Sequence, residues 1–426
     1  MRWLARNKKV KPAAVSRWLR FLARKGVRPG VPAYQSYRDL LMPIRVLLGR
    51  SPATAAGEVA CSWEPGKEIN GFMMVTGGSG SGKTEALKLI GGSLVRHGIP
   101  VVTIDFHGDV LFEGQNTLHA HVRQATGQGL NPLAIDKTTL AKEGLQVKIA
   151  KEVDRVGRAS GCLGYKQAAC LRRVITDVYR EFGICEDRYL GWRVVSPSLG
   201  DIAEHLRMLS KRKEGMEGFD RQTVNACLAR VETLSCNALF RHPTSVSVQD
   251  MLAYNMRLDC SRLRGDAQLL AAETVLDMIF EAGRAAGPIP VNSRSDSERY
   301  RVFIIIDEAK ILSLGRGNAE DSRHILNVLV TEGRKYGIGL ILASQMTSHF
   351  GSEVHAMVST RLAMRRMDPK EARRVAPQMG LMPVDLVSTE SPAGTAYFRS
   401  ASTGGTVMLQ MDRLPEPEHR GFISEV

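Results

Sequence analysis

The chain has 426 residues, 43% hydrophobic and 24% charged, with a formal net charge of +14. That balance is ordinary for a globular protein, allows two or three domains, and argues against disorder or a fibrous chain. No run of 18 apolar residues occurs, so no membrane span is expected.

The start lacks the apolar core of a signal peptide. Cysteines fall at 61, 162, 170, 185, 227, 236 and 260, with no C-x-x-C pair, which argues against a zinc site. An odd, scattered set points to reduced thiols and a cytoplasmic home. The positive charge is concentrated at the beginning: residues 1–50 hold 13 Lys/Arg against the single acid Asp39.

In chain order, residues 1–12 read as a basic tail. Ala13–Lys25 reads as a helix with Trp18, Phe21 and Leu22 on one side and Arg17, Arg20 and Arg24 around them. Such an arm suits nucleic-acid phosphates. It equally suits a protein partner or an anionic membrane, and its composition also fits a transit peptide. A second short helix is expected over Tyr34–Gly49, and Ser51–Ile69 reads as a polar approach.

Phe72-Met-Met-Val-Thr reads as a strand running into Gly77-Gly-Ser-Gly-Ser-Gly82-Lys83-Thr84, and then a helix to about His97. Gly77, Gly82, Lys83 and Thr84 fill the pattern G-x-x-x-x-G-K-[ST]. Gly77, Gly78, Ser79, Gly80, Ser81 and Gly82 can turn tightly and aim backbone N–H groups at phosphate oxygens. The following helix adds its positive end. Lys83 can reach the β- and γ-phosphates of ATP, and Thr84 can place its hydroxyl on Mg²⁺.

Val101–Asp105 reads as a buried parallel strand ending in Asp105-Phe-His107-Gly-Asp109. Open α/β sheets bind ligands at such strand ends, so Asp105 is a candidate contact. Amphipathic helices are expected over Gly164–Phe182, Ser198–Lys213, Phe219–Ser235 and Asp266–Ala285, with short extended pieces in Thr244–Asp259. Residues 139–285 therefore read as a mostly helical insertion.

Val302-Phe-Ile-Ile-Ile-Asp307-Glu308 is a strand ending in two carboxylates, the Walker B pattern. Asp307 would join the Mg²⁺ shell, and Glu308 would orient and activate the attacking water. After a helix near His324–Lys335, Ile338–Ser344 reads as a strand ending at Gln345. There Gln345 could contact the γ-phosphate or the water. Arg334 stands just before that strand and could reach a nucleotide held by a neighbouring subunit; Arg361, Arg365 and Arg366 are rivals. Arg361–Met367 reads as a strand, Pro369–Met379 as a helix, and Gly394–Arg399 with Thr406–Met411 as a late strand pair. The tail from Pro415 reads as irregular.

These motifs resemble the HerA/FtsK group of ring-forming ATPases that pump DNA, most closely the HerA-like branch. The resemblance covers roughly residues 66–411. It rests on Gly77–Thr84, Asp105–Asp109, Asn131-Pro-Leu, Leu258–Leu263, Ile306-Asp-Glu-Ala309, Glu332-Gly-Arg-Lys-Tyr-Gly337, Leu342-Ala-Ser-Gln345 and Gly394-Thr-Ala396. The chain is also similar to the motors of conjugative secretion systems. The resemblance implies an α/β, RecA-like P-loop core with a parallel sheet, ATP and Mg²⁺ as cofactors, a hexameric homo-oligomer, and duplex DNA as partner. It assigns the arginine finger to Arg334 and γ-phosphate sensing to Gln345.

The expected layout is a basic arm and lead-in at 1–65, core at 66–138, the insertion at 139–285, and core with tail at 286–426. HerA proteins usually begin with a β-barrel, whereas residues 1–65 here are basic and read as helical. Two other jobs fit the same motifs: energising conjugative or secretion-type transfer, and gating a nuclease or defence complex.

Overall fold

The computed structural model describes residues 43–52, 58–119, 129–135, 144–161, 163–185, 188–189, 195–212, 216–242, 245–253, 255–290, 293, 295–313, 321–322, 324–388 and 392–414. The expected helix Ala13–Lys25 and the tail from Pro415 lie outside them.

An 11-stranded sheet organises the molecule. Its strands in chain order are β1 (Val46–Arg50), β2 (Ala60–Trp63), β3 (Phe72–Thr76), β4 (Val101–Asp105), β5 (Asn116–His119), β6 (Met256–Asp259), β7 (Val302–Ile306), β8 (Ile338–Ser344), β9 (Thr360–Met364), β10 (Thr395–Arg399) and β11 (Thr406–Met411). Across the sheet the order is β2-β1-β11-β10-β9-β3-β8-β7-β4-β6-β5. From β9 to β5 every pairing is parallel. From β9 back to β2 every pairing is antiparallel. This is the α/β architecture of a RecA-like P-loop core.

The central strands are buried on both faces, which explains their unbroken apolar runs. Phe72 and Met74 of β3 face one core, while Met73 and Val75 face the other. Helix α1 (Lys83–Arg96) packs on the second face. There Gly91 lets the helix approach closely, since a Cβ on it would lie 2.5 Å from Phe112 and 2.9 Å from Ile305.

The first face carries α2 (Leu145–Ala159), α3 (Tyr165–Glu181), α4 (Leu199–Ser210), α5 (Arg221–Ser235), α6 (Gly265–Ala286) and α7 (Ile325–Glu332). Sequence signals locate their ends. Ser198 caps α4 and shares a capping box with Asp201, and Asp220 caps α5 by accepting from Thr223 N. A small third core gathers Ala363, Met367 and Leu386 around α8 (Pro369–Met379).

Several expectations need correction. Val46–Arg50, which overlaps the end of the expected helix Tyr34–Gly49, is a strand. It pairs with β2 and β11, burying Val46 and Leu48 while Leu47 stays exposed. Ala60–Trp63, in the expected polar approach, is its partner, with Trp63 fully buried. Met256–Asp259 is extended, as expected within Thr244–Asp259, but it lies hydrogen-bonded between β4 and β5 and so belongs to the core sheet rather than to an insertion. Short strands take their partners from far along the chain, and a local apolar pattern does not record those partners. Among the described residues, no helix is long and apolar enough to cross a membrane.

Candidate nucleotide site

Four neighbouring strand ends converge: β3, β8, β7 and β4. Register holds them level. Ser344 pairs with Thr76, Leu342 with Ile306, and Ile104 with Ile306. Gly77 after β3, Gln345 after β8, Asp307 after β7 and Asp105 at the end of β4 therefore lie at one end of the sheet, where such sheets bind ligands.

After β3 the chain turns through Gly77–Gly82 into α1. Gly80 (φ +68°) and Gly82 (φ +103°) take left-handed conformations that β-carbons disfavour. Gly82 caps α1 without a side chain, so the first N–H groups of the helix stay unclaimed by any cap. Neighbouring segments brace the loop. A Cβ on Gly78 would lie 2.1 Å from the Arg366 carbonyl oxygen, and one on Gly77 would lie 2.6 Å from Met364 Cβ. Gly394 N donates to Ser81 O at 3.1 Å. Arg366 itself is left-handed, with φ +66°.

Lys83 folds back over this loop. Its Nζ donates to Gly77 O at 2.9 Å and Gly78 O at 2.8 Å. Burial pulls its pKa below that of an ordinary lysine, against the opposing charges of Glu308 and Asp307. Thr84 Oγ1 lies 3.5 Å from Asp109 Oδ2. Ser79 is exposed at the tip of the loop.

Asp105 is fully buried, and both its oxygens are engaged. Oδ1 accepts from His107 N and Gly108 N, and Oδ2 from Val110 N. Arg257 on β6 completes the set, its Nη2 2.7 Å from Oδ2. The carboxylate thus orders the loop 107–110. His107 is carried over Asp307, with Nδ1 2.8 Å from Asp307 Oδ2. Burial disfavours charge on that ring, but the bond and charge of Asp307, with Glu308 and Asp109, outweigh it and raise its pKa. The Asp307 carboxyl is pushed up by burial, against His107, with Asp109 and Asp105 adding to the rise.

The residues present fit Mg²⁺. Carboxylate oxygens of Asp109 and Asp307 lie within 4.8 Å of one another and Thr84 adds a hydroxyl, while Asp105, engaged by Arg257 and backbone N–H groups, stands behind them. An all-oxygen donor set suits that hard cation.

Glu308 begins the turn after β7 in a left-handed conformation, φ +52°. It is 3% exposed. Its Oε2 accepts from Gln345 Nε2 at 3.2 Å and its Oε1 from Gln345 N at 3.4 Å. Lys310 Nζ sits 3.2 Å from Oε1. Sequence reasoning missed Lys310, which belongs to no motif. It also missed the bracing by Met364 and Arg366, which contact geometry alone reveals.

Arg334 is not at this end of the sheet. It is exposed in the turn Gly333–Tyr336 that leads into β8. Gln345 follows the other end of β8, seven residues away along the strand, or about 23 Å. Among its rivals, Arg361 is half-buried near the start of β9, and the Arg365 Nε is buried without a partner.

No family model matches the chain. Among curated proteins, the DNA double-strand break repair helicase HerA of Pyrococcus furiosus is 26% identical over 119 residues, 28% of this chain and 21% of that protein. HerA of Sulfurisphaera tokodaii is 24% identical over 97 residues, 23% of this chain and 19% of that protein. The chain therefore spans only about a fifth of the length of these curated relatives. Among solved structures, VirB4 of Thermoanaerobacter pseudethanolicus superposes with a TM-score of 0.64 at 18% identity, covering 87% of this chain and 96% of that one. The plasmid coupling protein TrwB in complex with ADP and Mg²⁺ gives 0.56 at 15% identity, covering 80% and 86%. Sheet order and these likenesses show that the chain has the α/β fold of a P-loop ATPase core.

Proposed function

We propose that the protein is an ATP-hydrolysing motor that assembles as a ring and works on duplex DNA. The observation that carries hydrolysis is the buried Glu308, paired with Gln345 at the strand ends beside the phosphate loop.

In this reading Lys83 exchanges the Gly77 and Gly78 carbonyls for β- and γ-phosphate oxygens. The loop Gly77–Gly82 and the first turn of α1 cradle the phosphates with backbone N–H groups. Thr84 and Asp307 would hold Mg²⁺, with Asp109 beside them, and the ion when bound neutralises phosphate charge. Asp105 acts through the loop it orders, setting His107 and Asp109. Glu308 accepts the proton of the attacking water, which Gln345 helps to orient. Arg334, at the opposite end of β8 from Gln345, serves the nucleotide of the next subunit, so the site requires a homo-oligomer, and a hexamer fits.

Steady-state ATP hydrolysis with and without linear duplex DNA tests the reading, with Glu308→Gln as blank. Strong stimulation by duplex, absent in the variant, is expected. Hydrolysis by the variant at the normal rate would sink the site assignment.

One observation favours a second reading, in which the ATPase energises conjugative or secretion-type transfer of DNA or protein. The likeness to VirB4 spans 96% of that chain. Hydrolysis indifferent to DNA would favour it.

A further inference from the structure

On β9, which flanks β3, and on β10 beyond it, the sheet carries cations that make no ion pair among the described residues. Arg361 on β9 and Arg399 on β10 are direct cross-strand partners. Like charges placed opposite each other on antiparallel strands repel. Arg361 is half-buried and donates to His355 O at 2.9 Å. Burial, and then Arg399, lower its pKa. Arg399 is exposed beside the C-terminus of α8, where a Cβ on Gly380 would lie 3.1 Å from its Nη1.

Helix α8 extends the group. Lys370, Arg373 and Arg374 are exposed at spacings of three and four, hence on one face. Arg374 and Arg361 both act on His355, whose pKa falls through burial first and these charges after it. The nearby acids are engaged elsewhere. Asp368 accepts from Lys370 N and Glu371 N, and Glu371 accepts from Thr347 N at 2.7 Å. Among the described residues, Arg361, Lys370, Arg373, Arg374 and Arg399 make no ion pair.

The other side of the same helix reaches the nucleotide site. Glu371, 4% exposed, also accepts from Thr347 Oγ1, and Thr347 lies two residues beyond Gln345. Just before α8, the strained Arg366 sets its carbonyl against Gly78. Thus α8 holds the loop after Gln345, and the segment leading into it braces the phosphate loop, while the helix shows a bare cationic face to solvent.

We propose that Arg361, Lys370, Arg373, Arg374 and Arg399 form the surface that receives the phosphate backbone of the nucleic acid, and that α8 relays its occupancy to the ATP site. This rests on the DNA-motor reading. Guanidinium forks match phosphate oxygens in pairs, and bound phosphate removes the repulsion between Arg361 and Arg399. Salt bridges to an acidic face of a second copy are the rival.

The full-length chain is tested with a labelled linear duplex over a salt series, together with ATP hydrolysis. Arg373→Glu/Arg374→Glu is expected to weaken binding at least about tenfold and to lower the salt slope by about two. Stimulation by DNA is lost while basal hydrolysis stays at the wild-type level. The control Arg172→Glu/Arg173→Glu makes the same charge change on the exposed face of α3 and should leave both intact.

Arg399→Glu supplies a second signature. It converts the repulsive pair into an attractive one, so the Tm should rise while DNA affinity falls. Equal binding by the α8 and α3 variants overturns the surface but leaves the motor reading standing. If wild type binds no duplex at any salt, both fall. Loss of assembly in light scattering, with DNA affinity unchanged, assigns the face to a neighbouring subunit and overturns the proposal.

Discussion

Glu308 and Gln345 are 37 residues apart in the chain, yet the Gln345 side chain donates to Glu308 Oε2 at 3.2 Å and its backbone N–H faces Oε1. The carboxylate is aimed by the neighbouring strand as well as by its own left-handed turn. If these residues act as one unit, their losses will not add. Glu308→Gln is expected to bind ATP normally and lose about 10²–10⁴ in kcat. Gln345→Ala added to it should slow hydrolysis no further. A double variant slower than Glu308→Gln by the full single-variant factor would refute the coupling.

Gly78→Ala tests the bracing of the phosphate loop. The new methyl would lie 2.1 Å from the Arg366 carbonyl oxygen, and a backbone atom cannot swing away as a side chain can. Destabilisation of about 1–3 kcal/mol is expected, with weakened nucleotide binding. Thermal melting and titration with a fluorescent ATP analogue read both. Wild-type values in each would show that the Arg366 segment is not held against the loop.

Arg334→Ala should leave nucleotide affinity intact and lower kcat by about 10³ or more, as loss of an arginine finger does. Mixed assemblies decide whether it acts in trans. Adding Glu308→Gln subunits to Arg334→Ala subunits should restore some hydrolysis, because Arg334 of the first can serve Glu308 of the second. No recovery in assemblies shown to be mixed would count against an intersubunit role.

The buried charges between α2, α6 and α7 predict a pH dependence of stability. Glu273, fully buried, accepts from Arg158 Nη2 at 2.8 Å, and His324 Nε2 lies 3.1 Å away. Burial favours its neutral form, but these bonds and charges outweigh it and hold the pKa down to about 2. A carboxylate with a depressed pKa contributes stability above its unfolded value of about 4.5, and that contribution is lost as pH falls toward 2. Glu273→Gln should therefore cost about 3–5 kcal/mol at neutral pH. Melting curves should show the gap to wild type closing between about pH 4.5 and pH 2. A gap that does not change with pH would remove Glu273 from the account of acid stability.

Much of the core was legible in advance. β3, β4, β7 and β8 are unbroken apolar runs, and a strand covered on both faces needs that composition. The helix read over Pro369–Met379 is α8, which the structure shows capped by Asp368 and ended at Gly380. By contrast, β1 and β2 carry Gly49, Arg50 and Ser62 among their apolar residues, and their place in the sheet depends on β11. Val46 and Leu47 fit a helix stripe as well as a strand until β11 is known to lie beside them.

By itself, the sequence determined which residues the proposed nucleotide site would use. Gly77–Thr84, Asp307, Glu308 and Gln345 follow from local requirements: glycine where the backbone must turn at positive φ, a lysine to reach phosphate, carboxylates where a buried strand ends. Only the tertiary structure decided who their neighbours are. That His107 covers Asp307, that Lys310 and Gln345 hold Glu308, that Arg366 braces Gly78, and that Arg361 faces Arg399 all depend on contacts between segments far apart in the chain. Sheet order and register create those contacts, and no spacing along the chain encodes them.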